Sequence, residues 1–499
     1  MPETPDRPIT ASRTWLRVLE HVALVLVAIG GPLAMALGSA PYLSYDEAAH
    51  VDHALRIWQG ELPVRGDPLV LGNEVGFSAP IQWTWMHPPY FYIVLAPIVG
   101  PLVDAGMVVE ADFAARLSML PLSVAMVYTV RAIGRRMFPS VPAVGLASAV
   151  VVALATHFVG IGGAVYNDKP AVLFAALAFL FLLRFLRVPS WGNGIGIALS
   201  AAAAVGSRFG VLPMMLLFLG VPVVAALFKL LPLVRALAVA GVGVAAIAAL
   251  NGWFYLRNIS ITGNISGRRG DDWVIENLGR VRRPPLEVAL DRGFWSKMLQ
   301  QYSIDSYADL PFLRDGTWWT LLLFVVPLAA GIALCVVGLV RRPEHRIERI
   351  LVLGTILAVF AGMGLTVVLY VAGGGGWNSR YLFTITPFAA PLMALALLRP
   401  RRAPWLFAIW AAIRTVLVAL QLRAAELRAD GAAAPQGDAF PVLGWGSIGL
   451  LGVGVVLALV VAFAMTRAAE RETAVGESPG QAAAGSRPDA ADEAAARER

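Results

Sequence analysis

Residues 15–37 read WLRVLEHVALVLVAIGGPLAMAL, an apolar run long enough to cross the hydrocarbon core of a bilayer. Windows of about 17–25 residues with the same character recur along the chain. Apolar residues make up 58% of the 499 positions and charged residues 15%, whereas a soluble protein carries roughly 25% charged residues. The mean hydropathy is +0.68. One soluble core cannot bury this much apolar surface, so the sequence predicts an all-α polytopic membrane protein.

The apolar windows predict about twelve transmembrane helices. An additional apolar stretch at 89–103 is interrupted by Pro97 and Pro101. If this stretch crossed the membrane, the arginine cluster at 131–136 would lie outside the cell, against the preference of arginine for cytoplasmic loops. We therefore interpret it as an interfacial or re-entrant helix. The predicted spans are 15–37, 113–130, 142–165, 169–187, 191–206, 209–230, 233–256, 317–340, 350–372, 381–398, 404–422 and 443–465.

The distribution of arginine predicts the orientation of these helices. The net charge is +7, and the basic residues concentrate in short loops, which is typical of cytoplasmic loops and not of a nucleic-acid-binding surface. Residues 1–14 and both chain termini are therefore expected in the cytoplasm. The long loops at about 38–112 and 257–316 are expected outside the cell, and 15–465 form the transmembrane domain. The polar tail at 466–499 is expected to be disordered.

Two further features limit the function. The single cysteine, Cys335, excludes an intramolecular disulfide and a cysteine-based zinc site. No glycine-rich phosphate loop followed by Lys-Ser/Thr occurs, so coupling to ATP hydrolysis is not expected. The abundance of alanine and arginine indicates a GC-rich bacterial genome, and hence a multi-pass protein of the bacterial plasma membrane.

Charged residues at the outer ends of the predicted helices all fall on one side. Ionisable groups near irregular backbone at a bilayer boundary usually line a cavity. The alternative is that each residue caps a helix or extends to the lipid head groups. The set is Asp46, Glu47, Asp168, Lys169, Arg208, Arg257 and Arg380.

The segment after the first span carries an acidic pair followed by histidines. If it is helical, Asp46, His50 and His53 share one face. Three interpretations remain open: a catalytic carboxylate, a metal site that includes Asp46, His50 and Asp168, or a helix capped by Asp46. The same loop contains WTWMHPPYFY at 83–92, whose aromatic residues suit the membrane interface and also stack on sugar rings.

Together these motifs resemble the GT-C superfamily of polyprenyl-phosphate-sugar transferases, which includes protein O-mannosyltransferases, the lipid A aminoarabinose transferase and actinobacterial arabinofuranosyltransferases. Residues 253–258, WFYLRN, are similar to the WYLRN signature of uncharacterised relatives. The resemblance spans about 15–400. The motifs that carry it are Asp46-Glu47, His87-Pro88-Pro89, Asn167-Asp168, Arg208 and Arg380-Tyr381-Leu382-Phe383.

The resemblance implies transfer of a sugar from a polyprenyl-phosphate donor to a glycan, lipid or protein hydroxyl of the cell envelope, with inversion. It implies that Asp46 or Glu47 is the catalytic carboxylate. Asp168 would orient the acceptor or, as in oligosaccharyltransferase-like members, bind a divalent metal. Arg208, where many relatives have Lys, and Arg380 match phosphate-binding positions. Further candidates for substrate binding are Lys169, Arg257, Tyr381 and His87.

Two functions without catalysis compete with this interpretation. A secondary transporter often has twelve spans, and a lipid-linked-sugar flippase would bind the same donor. Transporters usually contain internal repeats and broken helices at the membrane midplane. This sequence has no convincing repeat, and its polar residues concentrate at one predicted face. The pattern favours the enzyme.

Overall fold

The computed structural model describes residues 11–42, 46–71, 81–267, 280–302, 316–341, 344–399, 404–429 and 439–476. These residues form helices and connecting turns, with one isolated antiparallel bridge between Pro68 and Ile81. The predicted all-α fold is confirmed.

The described part of the chain contains both long and short helices. They are α1 (Ala11–Gly38), α2 (Glu47–Trp58), α3 (Tyr90–Asp104), α4 (Val108–Leu117), α5 (Leu120–Met137), α6 (Val144–Ala153), α7 (Thr156–Gly162), α8 (Asp168–Arg187), α9 (Trp191–Ser207), α10 (Leu212–Leu227), α11 (Leu233–Thr262), α12 (Pro285–Leu290), α13 (Arg292–Met298), α14 (Gly316–Thr320), α15 (Val326–Arg341), α16 (Arg346–Ala372), α17 (Thr386–Leu397), α18 (Trp405–Ala429) and α19 (Ala439–Gly476). Short 3-10 turns cover Trp83–Met86, Phe209–Val211 and Ser379–Ile385, and a π-helical turn, Leu321–Val325, joins α14 to α15.

Ten helical spans among the described residues are long and apolar enough to cross a membrane, or eleven if the bent pair α6–α7 counts as one. Helix α9, a predicted span, has 17 residues and falls outside that set, so the count of twelve stays a prediction. The apolar helix α3 has 15 residues, in keeping with the interfacial or re-entrant helix expected there.

The predicted continuous span at 142–165 is broken. Helices α6 and α7 meet at an angle of 60°. Arg414 of α18 is fully buried beside the break, where its Nε and Nη2 donate to the carbonyl of Leu154 at 3.0 and 2.6 Å. Its Nη1 donates to the carbonyl of Tyr302 at 2.6 Å. The guanidinium thus satisfies a carbonyl at the end of α6 that would otherwise have no intrahelical partner.

The predicted outer segments contain more helix than their loop assignment suggests. Helices α2 and α3 and the start of α4 lie within 38–112, and α11 continues to Thr262. Helix α19 continues past 465 to Gly476, whereas 477–499 lie outside the described residues, as do 1–10.

Close helix contacts hold the bundle together where residues are small. A Cβ atom on Gly30 of α1 would lie 2.6 Å from the backbone nitrogen of Leu451 on α19. A Cβ atom on Gly454 would lie 2.7 Å from the Cβ of Leu26. Small residues let membrane helices approach closely enough for backbone packing to supply the contact energy.

Candidate active site

Asp46 precedes α2 at the N-cap position, but its side chain does not cap the helix. Its carbonyl accepts the amide of His50 at 3.1 Å, while its carboxylate forms an ion pair with Arg380 from the turn before α17. The capping interpretation is therefore wrong for the side chain. The carboxylate is directed to a charged partner that lies 334 positions away in the sequence.

A second ion pair lies beside the first. Asp168, the first residue of α8, pairs with Arg208, which follows the last residue of α9. Arg380 links the two pairs, because its Nε lies 3.9 Å from Asp168 Oδ2. Neither of these two atoms has a hydrogen-bond partner among the described residues. Two carboxylates and two guanidinium groups therefore form one cluster. The Nε–H group of Arg380 is available in it to donate a hydrogen bond to a further ligand.

Two tyrosine rings hold the arginines of this cluster. The guanidinium carbon of Arg380 lies 4.6 Å from the ring centroid of Tyr166 and 5.5 Å from that of Tyr381. That of Arg208 lies 5.5 Å from Tyr381. Cation–π contacts of this kind hold a guanidinium in place while leaving its edge free to donate hydrogen bonds.

The cluster lies in a cavity of about 760 Å³, a size typical of small-molecule sites. Asp46, Asp168, Arg208 and Arg380 all line it. Its other walls bring together groups from widely separated segments: Trp83, Trp85, His87, Tyr370, Trp377, Tyr381, Arg65 and Arg280. Four of the seven charged positions that the sequence predicted on one face thus line one cavity, together with the predicted substrate-binding residues Tyr381 and His87.

Glu47 lies next to Asp46 in sequence but is absent from the described cavity lining. It is 1% exposed and pairs with Arg116 of α4 through two contacts of 2.9 and 2.8 Å. The amide of Val165 donates to the same carboxylate at 2.9 Å. This geometry does not support the predicted catalytic role of Glu47, because both oxygens are engaged in joining α2 to α4 and to the segment before α8.

Arg116 itself is a residue that the sequence analysis missed. It also contacts Asp112 at 3.0 Å and donates to the carbonyls of Ala36, Ser39 and Ala40. It thereby links the end of α1 and the two residues after it to the start of α2. The sequence did offer one sign of a buried ion pair, a charged residue next to an apolar window. It did not reveal the partners, because they come from distant segments.

Two other predicted substrate-binding residues lie away from the described lining of the cavity. Lys169 is buried and donates to the carbonyl of Gly162 at 3.2 Å. Arg257 donates to the carbonyl of Pro63 at 2.6 Å and lies over the ring of Phe254. Both side chains serve local packing here, so their predicted binding roles are not supported.

The predicted metal set does not fit a cation in this arrangement. Asp46 and Asp168 each carry a guanidinium, and His50 is hydrogen-bonded through Nδ1 to the hydroxyl of Tyr92 at 2.8 Å. Within the described ranges, no group of three or more His, Cys, Asp or Glu residues is placed to hold a metal. A divalent ion would have to displace both arginines, and we derive no chemical step through one.

A glycine run that the sequence analysis did not use forms part of the cavity wall. Gly374 has a φ of +92°, a conformation that side chains rarely adopt. A Cβ atom on Gly375 would lie 2.4 Å from the ring of Tyr370, and one on Gly376 would lie 3.0 Å from a guanidinium nitrogen of Arg280. These glycines allow Tyr370 and Arg280 to pack directly against the backbone at the cavity.

We expect His53 to contribute a loss of stability in acid. Burial, assisted by the charge of Arg257, lowers the pKa of His53 to about 3, so only the unfolded chain binds its proton between that value and about 6.5. This contribution to stability is therefore fully present above pH 6.5 and decreases below it, by up to about 1.4 kcal/mol per pH unit. Thermal unfolding midpoints in detergent between pH 7.5 and 4.5 measure this slope. His53→Gln should remove the His53 part of the slope, and a slope identical to that of the wild-type protein would contradict the assignment.

No protein-family model and no curated protein matches this sequence. Solved structures do match. ArnT from Cupriavidus metallidurans bound to undecaprenyl phosphate is 15% identical, with 93% of this chain and 79% of that chain covered and a TM-score of 0.49. The oligosaccharyltransferase AglB from Archaeoglobus fulgidus, in complex with an inhibitory peptide and a dolichol-phosphate, is 12% identical (85% and 57% covered; TM-score 0.49). The arabinosyltransferase EmbB from Mycobacterium smegmatis is 14% identical (94% and 44% covered; TM-score 0.40).

All three similarities lie below 25% identity and below a TM-score of 0.5. The chain spans little more than half of AglB and less than half of EmbB. Similarities of this size do not decide the activity, for which the geometry of the cavity is the relevant observation.

Proposed function

We propose that the chain is a GT-C-type membrane glycosyltransferase that moves a hexosyl or pentosyl group from a polyprenyl-phosphate donor to a hydroxyl of a cell-envelope glycan, lipid or protein. The observation that carries the proposal is the cluster of Asp46, Asp168, Arg208 and Arg380 at one cavity. It combines a candidate base with two cations, which are the groups that such a transfer requires.

The arginines supply the anion site. A phosphate leaving group needs no general acid, but the charge that develops on it must be stabilised. Guanidinium groups do this through fixed donors that match phosphate oxygens. Arg380 contacts two tyrosine rings, lines the cavity and has an Nε donor without a partner among the described residues. Arg208 pairs with the other oxygen of Asp168. A phosphate bound by both arginines would take the place of Asp46 and Asp168 as their ion-pair partner.

Asp46 is the proposed base. It removes the proton of the acceptor hydroxyl while the hydroxyl oxygen forms a bond to the anomeric carbon. The bond between that carbon and the phosphate oxygen breaks, and the phosphate leaves with the electron pair. Attack opposite the leaving group inverts the anomeric carbon. When the phosphate takes over Arg380, the carboxylate of Asp46 is released from its ion pair and becomes available to the acceptor.

Asp168 holds Arg208 and, through the longer contact, Arg380. We assign it to positioning of the phosphate-binding arginines. The aromatic side chains Trp83, Trp85 and Trp377 on the cavity wall offer faces on which a sugar ring stacks. The proposed site faces the outside of the plasma membrane, with both termini in the cytoplasm, as the distribution of arginine predicts.

The proposal is tested by envelope glycan analysis of a deletion strain complemented with either the wild-type protein or Asp46→Asn. A glycan that is lost on deletion and restored by the wild-type protein only supports an enzyme with a carboxylate base. Restoration by both proteins would favour a flippase without this chemistry. An unchanged envelope with altered uptake of a small solute would favour a transporter.

We expect Arg380→Gln to lower the turnover number by about 10²–10³-fold, because it removes a donor aimed at the developing phosphate charge. Arg208→Lys should have a smaller effect, since the charge remains and only the two-pronged geometry is lost. Turnover of a lipid-phosphate sugar in detergent measures both. Arg346→Gln, at the exposed first residue of α16 and outside the described cavity lining, is the control. Equal activity of Arg380→Gln and the control would contradict the phosphate assignment.

A further inference from the structure

A second cavity, of about 370 Å³, lies between the C-terminal turns of α5 and α8. Its charged lining is entirely basic within the described residues. Five arginines face it, with Ala132 and Leu180 between them: Arg131, Arg135, Arg136, Arg184 and Arg187. The proposed transferase mechanism uses none of these residues.

The arginines outnumber the carboxylates that contact them. Arg131 pairs with Glu20 of α1 at 2.7 Å, and Arg187 pairs with Glu348 of α16 at 3.0 Å. Arg187 also donates to the carbonyl of Arg136 at 2.9 Å. Five arginines against two carboxylates leave an excess of three positive charges at this cavity, within the part of the chain that the structure describes.

One of these arginines is both ordered and incompletely bonded. The guanidinium of Arg184 lies 5.4 Å from the ring centroid of Phe181. Its Nε atom is buried and has no hydrogen-bond partner among the described residues. A buried donor without a partner costs about 1–3 kcal/mol, so the site lacks an acceptor. Positive charges at helix C-termini are favourable in themselves, but that effect does not explain a buried N–H without an acceptor.

This cavity lies at the opposite end of α8 from the candidate active site. Asp168 begins α8 and Arg187 ends it, and the helix has 20 residues. A helix of that length spans about 30 Å, the thickness of the hydrocarbon core. The arginine cavity is therefore at the other membrane face, which the charge distribution predicts to be cytoplasmic.

We propose that the arginine cavity binds the phosphate of an anionic phospholipid head group. Both α5 and α8 belong to helices long and apolar enough to cross a membrane, so lipid is the phosphate source adjacent to the site. Anionic lipids are enriched at the cytoplasmic surface, where clustered arginines attract them. Phosphate oxygens match the Nε donor of Arg184, which has no partner among the described residues, and Arg136 lines the same cavity. Ala132 and Leu180 provide an apolar contact for the glycerol and acyl region.

The test is a titration of the delipidated full-length protein with dioleoylphosphatidylglycerol in mixed micelles, read as bound lipid by native mass spectrometry. Phosphatidylcholine and inorganic phosphate are titrated in parallel. We expect phosphatidylglycerol to bind more tightly than either. The double variant Arg136→Gln/Arg184→Gln should weaken that binding on the order of 10- to 30-fold, at about fivefold per arginine.

Two sets of variants keep the result interpretable. Arg136→Lys/Arg184→Lys preserves the charge and should retain most of the lipid binding. Arg235→Gln/Arg341→Gln removes two arginines at the same predicted face but outside this cavity and should leave binding unchanged. Equal loss in the control pair, or no loss in the test pair, would overturn the proposal. Full displacement of the lipid by inorganic phosphate at equal concentration would also overturn it and indicate a soluble phosphate ligand. Lipid binding does not require transferase activity, so the proposed function is tested separately.

Discussion

Replacement of Asp46 by Asn is expected to reduce the rate of sugar transfer by about 10²–10⁴-fold, the contribution of a positioned general base. The amide fills the same space but cannot accept the proton of the acceptor hydroxyl. Binding of the lipid-phosphate donor should persist, because its contacts are assigned to Arg208 and Arg380. Removing the carboxylate also frees Arg380 of its ion-pair partner, so we expect donor affinity to be unchanged or higher.

The measurement requires two readings from the same preparation: turnover with a lipid-phosphate sugar, and the dissociation constant of undecaprenyl phosphate. Glu61→Gln is the matched control, because Glu61 is an exposed carboxylate with only a long 3.6 Å contact to Arg56. Loss of turnover with retained binding, in Asp46→Asn alone, supports the base assignment. Full turnover in that variant would remove Asp46 from the mechanism and leave Asp168 as the carboxylate to examine.

The sequence selected seven charged positions, and four of them, Asp46, Asp168, Arg208 and Arg380, are among the six Asp and Arg residues of the described cavity lining. The seven positions were selected because they lie at helix ends on one predicted side of the membrane. Helix ends on the same side come close together when the helices pack into a bundle. Tyr381 and His87 followed from the same motifs. The all-α polytopic fold needed only composition and span length, because a bilayer fixes the length of an apolar helix.

The sequence could not separate residues that are adjacent in the chain. Asp46 and Glu47 are neighbours, as are Asp168 and Lys169, and successive residues of a helix point about 100° apart. Which member faces the cavity depends on packing partners such as Arg116, which lies 69 positions from Glu47. Pattern analysis does not reveal such distant partners. The break between α6 and α7 has the same origin, since Arg414 from a distant helix holds it.

The largest expected effect on stability comes from Arg116→Met. Arg116 is fully buried with two carboxylates, Glu47 and Asp112, which are themselves buried. Methionine removes the cation and leaves both acids without their compensating charge in an apolar environment. Breaking a buried ion pair in this way costs about 3–5 kcal/mol. We therefore expect a large drop in the thermal unfolding midpoint in detergent. Arg346→Met, at an exposed position, should change stability by no more than about 0.5 kcal/mol.

A second substitution distinguishes a structural from a catalytic role for Glu47. Adding Glu47→Gln to Arg116→Met neutralises one of the stranded acids, so the double variant should be less destabilised than the sum of the two single variants. Glu47→Gln alone should lower the unfolding midpoint while turnover per folded molecule stays near that of the wild-type protein. If it instead abolished turnover without moving the midpoint, Glu47 would be the base. The ion pair with Arg116 would then have to open during catalysis, because both carboxylate oxygens are occupied in the closed arrangement.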